Sequence, residues 1–135
     1  MRKKNKNSFT KKIEWLFKFN DSDLIKFSKI SGDFHPLHLN KDYAKKKKFK
    51  NKVIFGALLS SQISKLVGNK INHKNIMMTG FTIKFKKPAY VNEKLKFIAI
   101  LESYSSSVSL ISYNFIIKNS KNIIICQGKV EALKI

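Results

Sequence analysis

The stretch of sequence that decides the fold is SGDFHPLHLNKDYAKKKKFKNKVIFGALLSSQISKLVG, residues 31–68. Its first part, residues 33–40, contains a proline and two histidines without regular apolar spacing, so we predict a surface loop. Its last part, residues 56–67, has apolar residues at helical spacing and no charged residue before Lys65. A helix so poor in charge is a buried one. We therefore predict a central helix that ends at Gly68.

The residues before this stretch predict a strand and a capped helix. Apolar and polar side chains alternate over residues 12–19, which is the period of a strand. Asn20 can begin a helix as its N-cap, and Asp23 at the third helical position completes a capping box. Gly32 is expected to end this helix. A short basic helix is expected over residues 41–48.

The residues after the central helix predict four antiparallel strands. From Ile76 onward there are four runs of alternating apolar residues, which are Phe81, Ile83 and Phe85; Leu95, Phe97, Ala99 and Leu101; Ile111, Tyr113, Phe115 and Ile117; and Ile124, Cys126 and Val130. Turn-forming residues separate the runs, at 88–92, 105–107 and 119–122. The pattern predicts an α+β domain in which a curved antiparallel sheet wraps a long central helix and these phenylalanines fill the core.

The composition fits one folded domain with a strongly basic surface. The 135 residues are enough for one core and too few for two. The chain has 28 Lys and Arg against 8 Asp and Glu, and its net charge of +20 steers acidic partners towards it. The excess of Lys and Asn is equally typical of an AT-rich coding sequence. We interpret residues 1–11 as a solvated basic tail and residues 12–135 as the domain.

Some classes of protein are excluded by the residues present. Cys126 is the single cysteine, which excludes an internal disulfide and a cysteine-based zinc site. No apolar run follows the basic N-terminus, as a signal peptide requires, and no segment approaches the roughly 18 apolar residues of a membrane span. We therefore expect a cytoplasmic protein without a membrane partner.

An acid and an imidazole lie close together just before the central helix. Asp33 and His38 are five residues apart, and Gly56 opens the helix. Adding water to an unsaturated thioester needs a base for the water, an acid that delivers a proton to carbon, and donors for the developing enolate oxygen. The unpaired N–H groups at a helix start are such donors. The stretch therefore offers all three.

This stretch resembles the MaoC-like dehydratases and the (R)-specific enoyl-CoA hydratases. Their motif reads approximately D-x-N-P-x-H, with V-x-H-G-[ML] downstream, and this sequence has D-F-H-P-L-H and V-I-F-G. The turn FKKPAYVNEKL, residues 85–95, is similar too, and the likeness covers about residues 13–134. The resemblance implies a hot-dog fold and a hydro-lyase, an enoyl-thioester hydratase or 3-hydroxyacyl-thioester dehydratase.

The resemblance also implies roles for single residues. Asp33 and His38 match the catalytic pair that orients and activates the water. Gly56 matches the glycine whose backbone N–H binds the thioester carbonyl. Ser64 corresponds to a serine that supports the loop by hydrogen bonding. His35 stands where the family usually has asparagine, and we expect it to alter the hydrogen bonding around the water or to add a second titrating group.

A second departure from the family motif lies at the start of the central helix. Phe55 replaces the histidine that commonly precedes the glycine, which removes a polar neighbour. Neither departure replaces Asp33, His38 or Gly56. We therefore expect them to affect substrate and rate more than reaction type.

The basic segment between the loop and the central helix predicts a contact with the carrier of the substrate. Lys46, Lys47 and Lys48 lie where the phosphates of coenzyme A or the acidic surface of an acyl carrier protein would approach, although a solvated helix face explains the same run. We expect no cofactor beyond this carrier. We also expect a homodimer, because one sheet around one helix leaves strand edges and an apolar face open.

Other functions stay open at this point. A hot-dog acyl-thioester hydrolase shares the fold, and release of free thiol would indicate it. The charge suggests a noncatalytic acyl-thioester or nucleic-acid-binding module, but base stacking needs an exposed aromatic and basic strand face, for which residues 84–86 are the candidate. We do not expect nucleic acid as the partner. Asp33, His35 and His38 are not expected to bind a metal, since no fourth ligand is near.

Overall fold

The protein folds around one five-stranded antiparallel sheet. The structure, a computed structural model, describes residues 8–135. Its elements are β1 (Lys12–Phe17), α1 (Asp21–Ser31), α2 (Pro36–Leu39), α3 (Lys41–Lys46), α4 (Gly56–Lys65), β2 (Ile76–Phe85), β3 (Leu95–Ser105), β4 (Leu110–Asn119) and β5 (Ile124–Lys134). The strand order is β1-β3-β4-β5-β2. Among the described helices, none has the length and apolar character needed to cross a bilayer.

One face of the sheet and helix α4 form the hydrophobic core. Leu59 and Ile63 of α4 are buried, and so is Phe97 of β3. Trp15 of β1 stacks on Phe97 with ring centroids 4.4 Å apart, and its indole N–H donates to Gln62 Oε1 of α4 at 2.9 Å. Burying one such large apolar side chain stabilises the fold by roughly 1.5–3 kcal/mol. The predicted sheet around a central helix is confirmed.

Helix α1 begins and ends at the residues that the local sequence signals predict. Asn20 Oδ1 accepts from the Asp23 N–H, and Asp23 Oδ2 accepts from the Asn20 N–H, both at 2.9 Å. Gly32 adopts the left-handed conformation with φ 78°, and its N–H donates to the Ser28 carbonyl. Both ends of α1 are therefore closed by hydrogen bonds within the helix and its flanking residues.

The prediction of an irregular loop over residues 33–40 is wrong in part, because Pro36–Leu39 forms helix α2. Proline is compatible with the first helical position, where its missing N–H would have no partner in any case. His35 is the N-cap, and its Nδ1 accepts from the Leu37 N–H at 3.1 Å. Helix α3 is shorter than the basic helix predicted over residues 41–48.

The predicted end of the central helix at Gly68 is also wrong. Helix α4 passes directly into a π-helical turn over Leu66–Lys70. Leu66 and Val67 are buried, so tertiary packing keeps the chain helical beyond α4. Gly68 does not take the left-handed conformation that ends α1 at Gly32.

The core-facing side of β2 is exposed, contrary to the prediction that its phenylalanines fill the core. Phe81 pairs in register with the buried Val130, and Phe85 with the buried Cys126, so both phenylalanines lie on the inner face of the sheet. Yet Phe81 is 43% exposed and Phe85 is 48% exposed. The reason is that β2 is an edge strand, with a neighbour on one side only.

The predicted basic tail over residues 1–11 lies largely outside the described residues. Within its described part, Phe9 is buried and stacks on His73 with ring centroids 4.9 Å apart. The Asn72 side chain accepts from the Thr10 N–H and donates to the Ser8 carbonyl, both at 3.1 Å. Residues 8–10 are therefore docked on the domain, and the prediction that they are solvated is wrong.

Candidate active site

Helix α2 fixes the side chain of His38 in one orientation. Its Nδ1 lies 2.6 Å from the Val53 carbonyl oxygen, and its ring stacks on Phe55 with centroids 4.0 Å apart. Because a carbonyl oxygen only accepts, Nδ1 must carry the hydrogen of this bond. In the neutral form of the ring the lone pair is therefore on Nε2, as a general base requires.

The residues before α2 form a chain of local hydrogen bonds that holds Asp33. Ser31 Oγ accepts from the Asp33 N–H at 3.1 Å, and Asp33 Oδ1 accepts from the His35 N–H at 3.0 Å. The His35 ring lies edge-on to His38, with centroids 6.1 Å apart. One Asp33 oxygen is thus engaged by backbone, and the carboxyl group as a whole is exposed. His35, predicted as a supporting residue, lies at the N-cap between the predicted acid and the predicted base.

Gly56 opens helix α4, and the ring of Phe85 lies directly over it. A Cβ atom there would lie 2.8 Å from Cζ of Phe85, closer than side-chain carbons approach one another. The N-cap residue, Phe55, makes no side-chain hydrogen bond to the first turn. The Leu58 N–H donates to the Phe55 carbonyl at 3.1 Å, so among the described residues the Gly56 and Ala57 N–H groups are the candidate donors to a ligand, at the positive end of the helix dipole.

His38 and Gly56 line one cavity of about 410 Å³. The other lining residues are mostly apolar, namely Leu37, Phe49, Val53, Ile54, Leu59, Phe85, Lys86, Lys87, Pro88 and Ala89. Apolar walls with a few polar groups are typical of small-molecule sites. Of the predicted site residues, the described cavity wall brings together His38 and Gly56 but does not include Asp33, His35 or Ser64.

Ser64 lies on the exposed side of α4. The serines of this helix that do make hydrogen bonds point back to their own helix, Ser60 to the Ala57 carbonyl and Ser61 to the Leu58 carbonyl. The predicted support of the loop by Ser64 stays a prediction.

The lysines at the cavity are not those that the sequence singled out. Lys46, Lys47 and Lys48 are exposed, and the Lys47 ammonium lies 5.6 Å from the ring centroid of Tyr43. Lys86 and Lys87 line the cavity instead. Sequence reasoning missed them as site residues, although they stand in the turn FKKPAYVNEKL that carried part of the family resemblance.

The strand face considered for base stacking does not form. Lys84 pairs with Gln127 and Phe85 with Cys126, and consecutive residues of a strand point to opposite faces of the sheet. Phe85 is therefore separated from Lys84, and its ring lies against Gly56 at the cavity wall. Lys84 and Phe85 therefore do not share a face, and Phe85 forms part of the cavity wall together with Lys86.

The sequence is similar to proteins that are named as hydratases and dehydratases. The (R)-specific enoyl-CoA hydratase of Aeromonas caviae is 31% identical over 78 residues, which cover 58% of this chain and 58% of that protein. The hydratase of the same name from Rhodospirillum rubrum is 30% identical over 74 residues, which cover 55% and 51%. The mitochondrial 3-hydroxyacyl-[acyl-carrier-protein] dehydratase of Arabidopsis thaliana is 22% identical over 119 residues, which cover 85% and 70%. The matched segments thus span only a little over half of the two hydratases.

Solved structures confirm the predicted hot-dog fold. The (R)-hydratase from A. caviae involved in PHA biosynthesis superposes with a TM-score of 0.90 at 21% identity, over 97% of this chain and 99% of that one. An R-hydratase from Pseudomonas aeruginosa superposes with a TM-score of 0.84 at 23% identity, over 91% and 79%. The sequence profile of the MaoC-like domain matches residues 3–113. Because this match covers well over half of the chain, the protein belongs to the MaoC-like domain family.

Proposed function

We propose that this protein is a hydro-lyase that interconverts 2-enoyl thioesters and (R)-3-hydroxyacyl thioesters. The observation that carries the proposal is the shared cavity of His38, with its free Nε2 lone pair, and Gly56, at the start of α4. A base and an oxyanion donor on one apolar cavity are what water addition next to a thioester carbonyl requires.

In the proposed reaction, Asp33 and His38 hold one water molecule beside C3 of the enoyl group. The pair removes a proton from the water as its oxygen bonds to C3. The electrons of the double bond move to the thioester oxygen, and the Gly56 N–H stabilises the resulting enolate. The pair then returns a proton to C2, so that one water is added and both side chains end as they began. Dehydration is the same path in reverse.

The relatives support this reaction class. The two hydratases are named for (R)-specific hydration of enoyl-CoA, and the plant protein for dehydration of 3-hydroxyacyl chains on acyl carrier protein. Both activities are one equilibrium approached from opposite sides. The mostly apolar cavity wall suits an acyl chain, and the two lysines at the cavity suit an anionic carrier.

We further propose a homodimer that covers the exposed inner face of β2. Phe81 and Phe85 are 43% and 48% exposed on this face of the edge strand. A second copy would bury these side chains and remove a strand edge that invites aggregation. Light scattering at working concentration tests the assembly, and a monomer would contradict it.

The test of the activity is the loss of absorbance of a conjugated enoyl thioester, followed with short, medium and branched chains on coenzyme A and on acyl carrier protein. We expect hydration of at least one chain class without release of thiol. Thiol release with no 3-hydroxyacyl product would instead assign a thioester hydrolase.

A further inference from the structure

The two histidines of the candidate site use their ring nitrogens in opposite ways. His35 Nδ1 accepts from the Leu37 N–H at 3.1 Å, so this nitrogen carries no hydrogen in that bond. His38 Nδ1 donates to the Val53 carbonyl oxygen at 2.6 Å. A proton added to the His38 ring goes to Nε2 and leaves the bond to Val53 in place. A proton added to the His35 ring goes to Nδ1 and removes the acceptor.

The bond made by His35 Nδ1 caps the start of helix α2. Pro36, at the first helical position, has no N–H, and the His38 N–H donates to the His35 carbonyl at 3.1 Å. The Leu37 N–H is therefore the donor of the first turn that depends on the side chain of the N-cap residue. Helix α2 is a single turn, and so short a helix depends on bonds from outside it, because the first turn is the costly step of helix formation.

The capped turn positions the predicted acid and the predicted base. The Val53 N–H donates to the Leu37 carbonyl at 3.1 Å, and the Val53 carbonyl accepts from the His38 ring, so two bonds join α2 to the segment before α4. At the start of the turn, the His35 N–H donates to Asp33 Oδ1 at 3.0 Å. The backbone around His35 is therefore connected to both Asp33 and His38.

We infer that His35 is a positioning residue, which holds Asp33 and His38 in the active arrangement only while its ring is neutral. When the ring is protonated, both of its nitrogens are donors, and Nδ1–H would face the Leu37 N–H. The cap is then lost, and the turn that carries His38 is loosened. The inference rests on the proposed function, since it concerns the same site. Asparagine, the usual family residue here, is an N-cap with no proton to gain, so the acid sensitivity would be a property of this chain.

The groups around the His35 ring fix how its titration has to be measured. The ring is exposed and faces His38 and Tyr43, with centroids 6.1 Å and 5.8 Å away, while Asp33 faces its backbone N–H. The Lys47 ammonium lies 5.6 Å from the ring centroid of Tyr43. All four of these groups remain in His35→Asn. Because histidine is the side chain that ordinarily titrates between about pH 5 and 8, a comparison of wild type with His35→Asn over this range isolates the effect of His35.

The first experiment is NMR spectroscopy of the ¹⁵N-labelled full-length protein, which needs no turnover. The ring nitrogens should show opposite neutral tautomers, with the hydrogen on Nε2 of His35 and on Nδ1 of His38. As the His35 ring is protonated, the protection of the Leu37 amide from solvent exchange, corrected for its intrinsic rate, should fall about fivefold, the usual effect of one lost N-cap bond. His35→Asn should keep this protection at acid pH. His73→Asn, the same change at a histidine packed on Phe9, should behave as wild type.

Two NMR results would overturn the inference. One is the same tautomer in both rings, since His35 could then not accept from the Leu37 N–H. The other is a Leu37 protection that does not follow the titration of His35.

The second experiment measures kcat/KM for hydration of an enoyl thioester as a function of pH. The ratio of wild type to His35→Asn should fall about fivefold between about pH 8 and about pH 5, as the cap is lost in the wild type alone. His35→Ala, which has no capping group, should be about fivefold less active than His35→Asn at both pH values. His73→Asn should follow the wild-type profile.

The direction of the change separates loss of the cap from charge repulsion between the two rings. A charged His35 that acted on His38 by repulsion alone would keep His38 neutral and raise the ratio at acid pH. A constant or rising ratio would therefore overturn the inference. If the wild type hydrates no thioester, the proposed function fails, whereas the NMR experiment still decides whether His35 caps α2 only in its neutral form.

Discussion

The inner face of the sheet has two halves that carry the same apolar alternation and meet opposite environments. On β3, Leu95, Phe97 and Ala99 are fully buried beneath the helical layer. On β2, Phe81 and Phe85 follow the same period and remain about half exposed. Alternation thus identifies which face a residue lies on, and the position of its strand in the sheet decides whether that face is covered. The covered half stabilises the domain, and Phe85 of the open half forms part of the wall of the candidate active-site cavity.

The strongest test of this contrast removes the chemistry at the cavity while leaving the core intact. We expect His38→Ala and Asp33→Asn each to lower hydratase activity by about 100 to 10,000-fold, the usual contribution of a general acid or base. Steady-state kinetics measures the loss, and circular dichroism checks the fold. His73→Ala, which changes a histidine packed on Phe9 away from the cavity, is the matched control. Full activity in both variants would refute the assigned pair.

The next test compares one phenylalanine from each half of the sheet. Phe97→Ala should lower the free energy of unfolding by about 3–5 kcal/mol, because it leaves a void in the core. Phe81→Ala should cost much less, and if β2 forms the dimer interface the loss should depend on protein concentration. Urea denaturation at two concentrations measures both. Similar, concentration-independent losses would contradict the division into a covered half and an open half.

A smaller effect is expected where the open half meets the central helix. Gly56→Ala would place a methyl group 2.8 Å from Cζ of Phe85, and this exposed ring can swing away at little cost in stability. The shifted cavity wall should lower kcat/KM by about tenfold to 100-fold. The double variant Gly56→Ala with Phe85→Ala removes the clash and should recover part of the activity. Additive losses would show that the clash with Phe85 is not what lowers the activity of Gly56→Ala.

The smallest effect concerns Glu93, whose Oε1 is buried and has no hydrogen-bond partner among the described residues. Burial raises its pKa, so the folded state holds the proton more tightly than the unfolded chain does. The carboxyl group therefore stabilises the folded state most at acid pH, where it is protonated. This stabilisation is lost as the pH rises through the raised pKa. Glu93→Gln should raise Tm at about pH 7 and change it little at about pH 4. A larger gain at the acid pH would reverse the sign and contradict the buried carboxyl.

Features set by neighbouring residues could be predicted from the sequence, and features set by distant packing could not. The capping box of Asn20 and Asp23 and the left-handed Gly32 follow from local chemistry. Cys126 lies in the last of the alternating apolar runs and is buried, and burial raises the pKa of its thiol to about 12. The end of the central helix could not be predicted, because buried side chains beyond α4 override the helix-stopping tendency of Gly68.

The same distinction applies to the site. The motif residues Asp33, His38 and Gly56 were found by spacing and by family resemblance, and the structure places two of them on one cavity. Lys86 and Lys87 reach the cavity of His38 only because the turn after β2 folds back beside the residues that follow α3. No local pattern distinguishes these two lysines from the many others in the chain.

The central claim is that water is added to an enoyl group while the thioester stays intact, and reaction in ¹⁸O-labelled water tests it most directly. The enzyme is incubated with an enoyl thioester, and all products are analysed by mass spectrometry. We predict one labelled oxygen in a 3-hydroxyacyl group that is still bound to its carrier, and no such product with His38→Ala. Label found only in a free carboxylic acid, together with released thiol, would show hydrolysis and contradict the account.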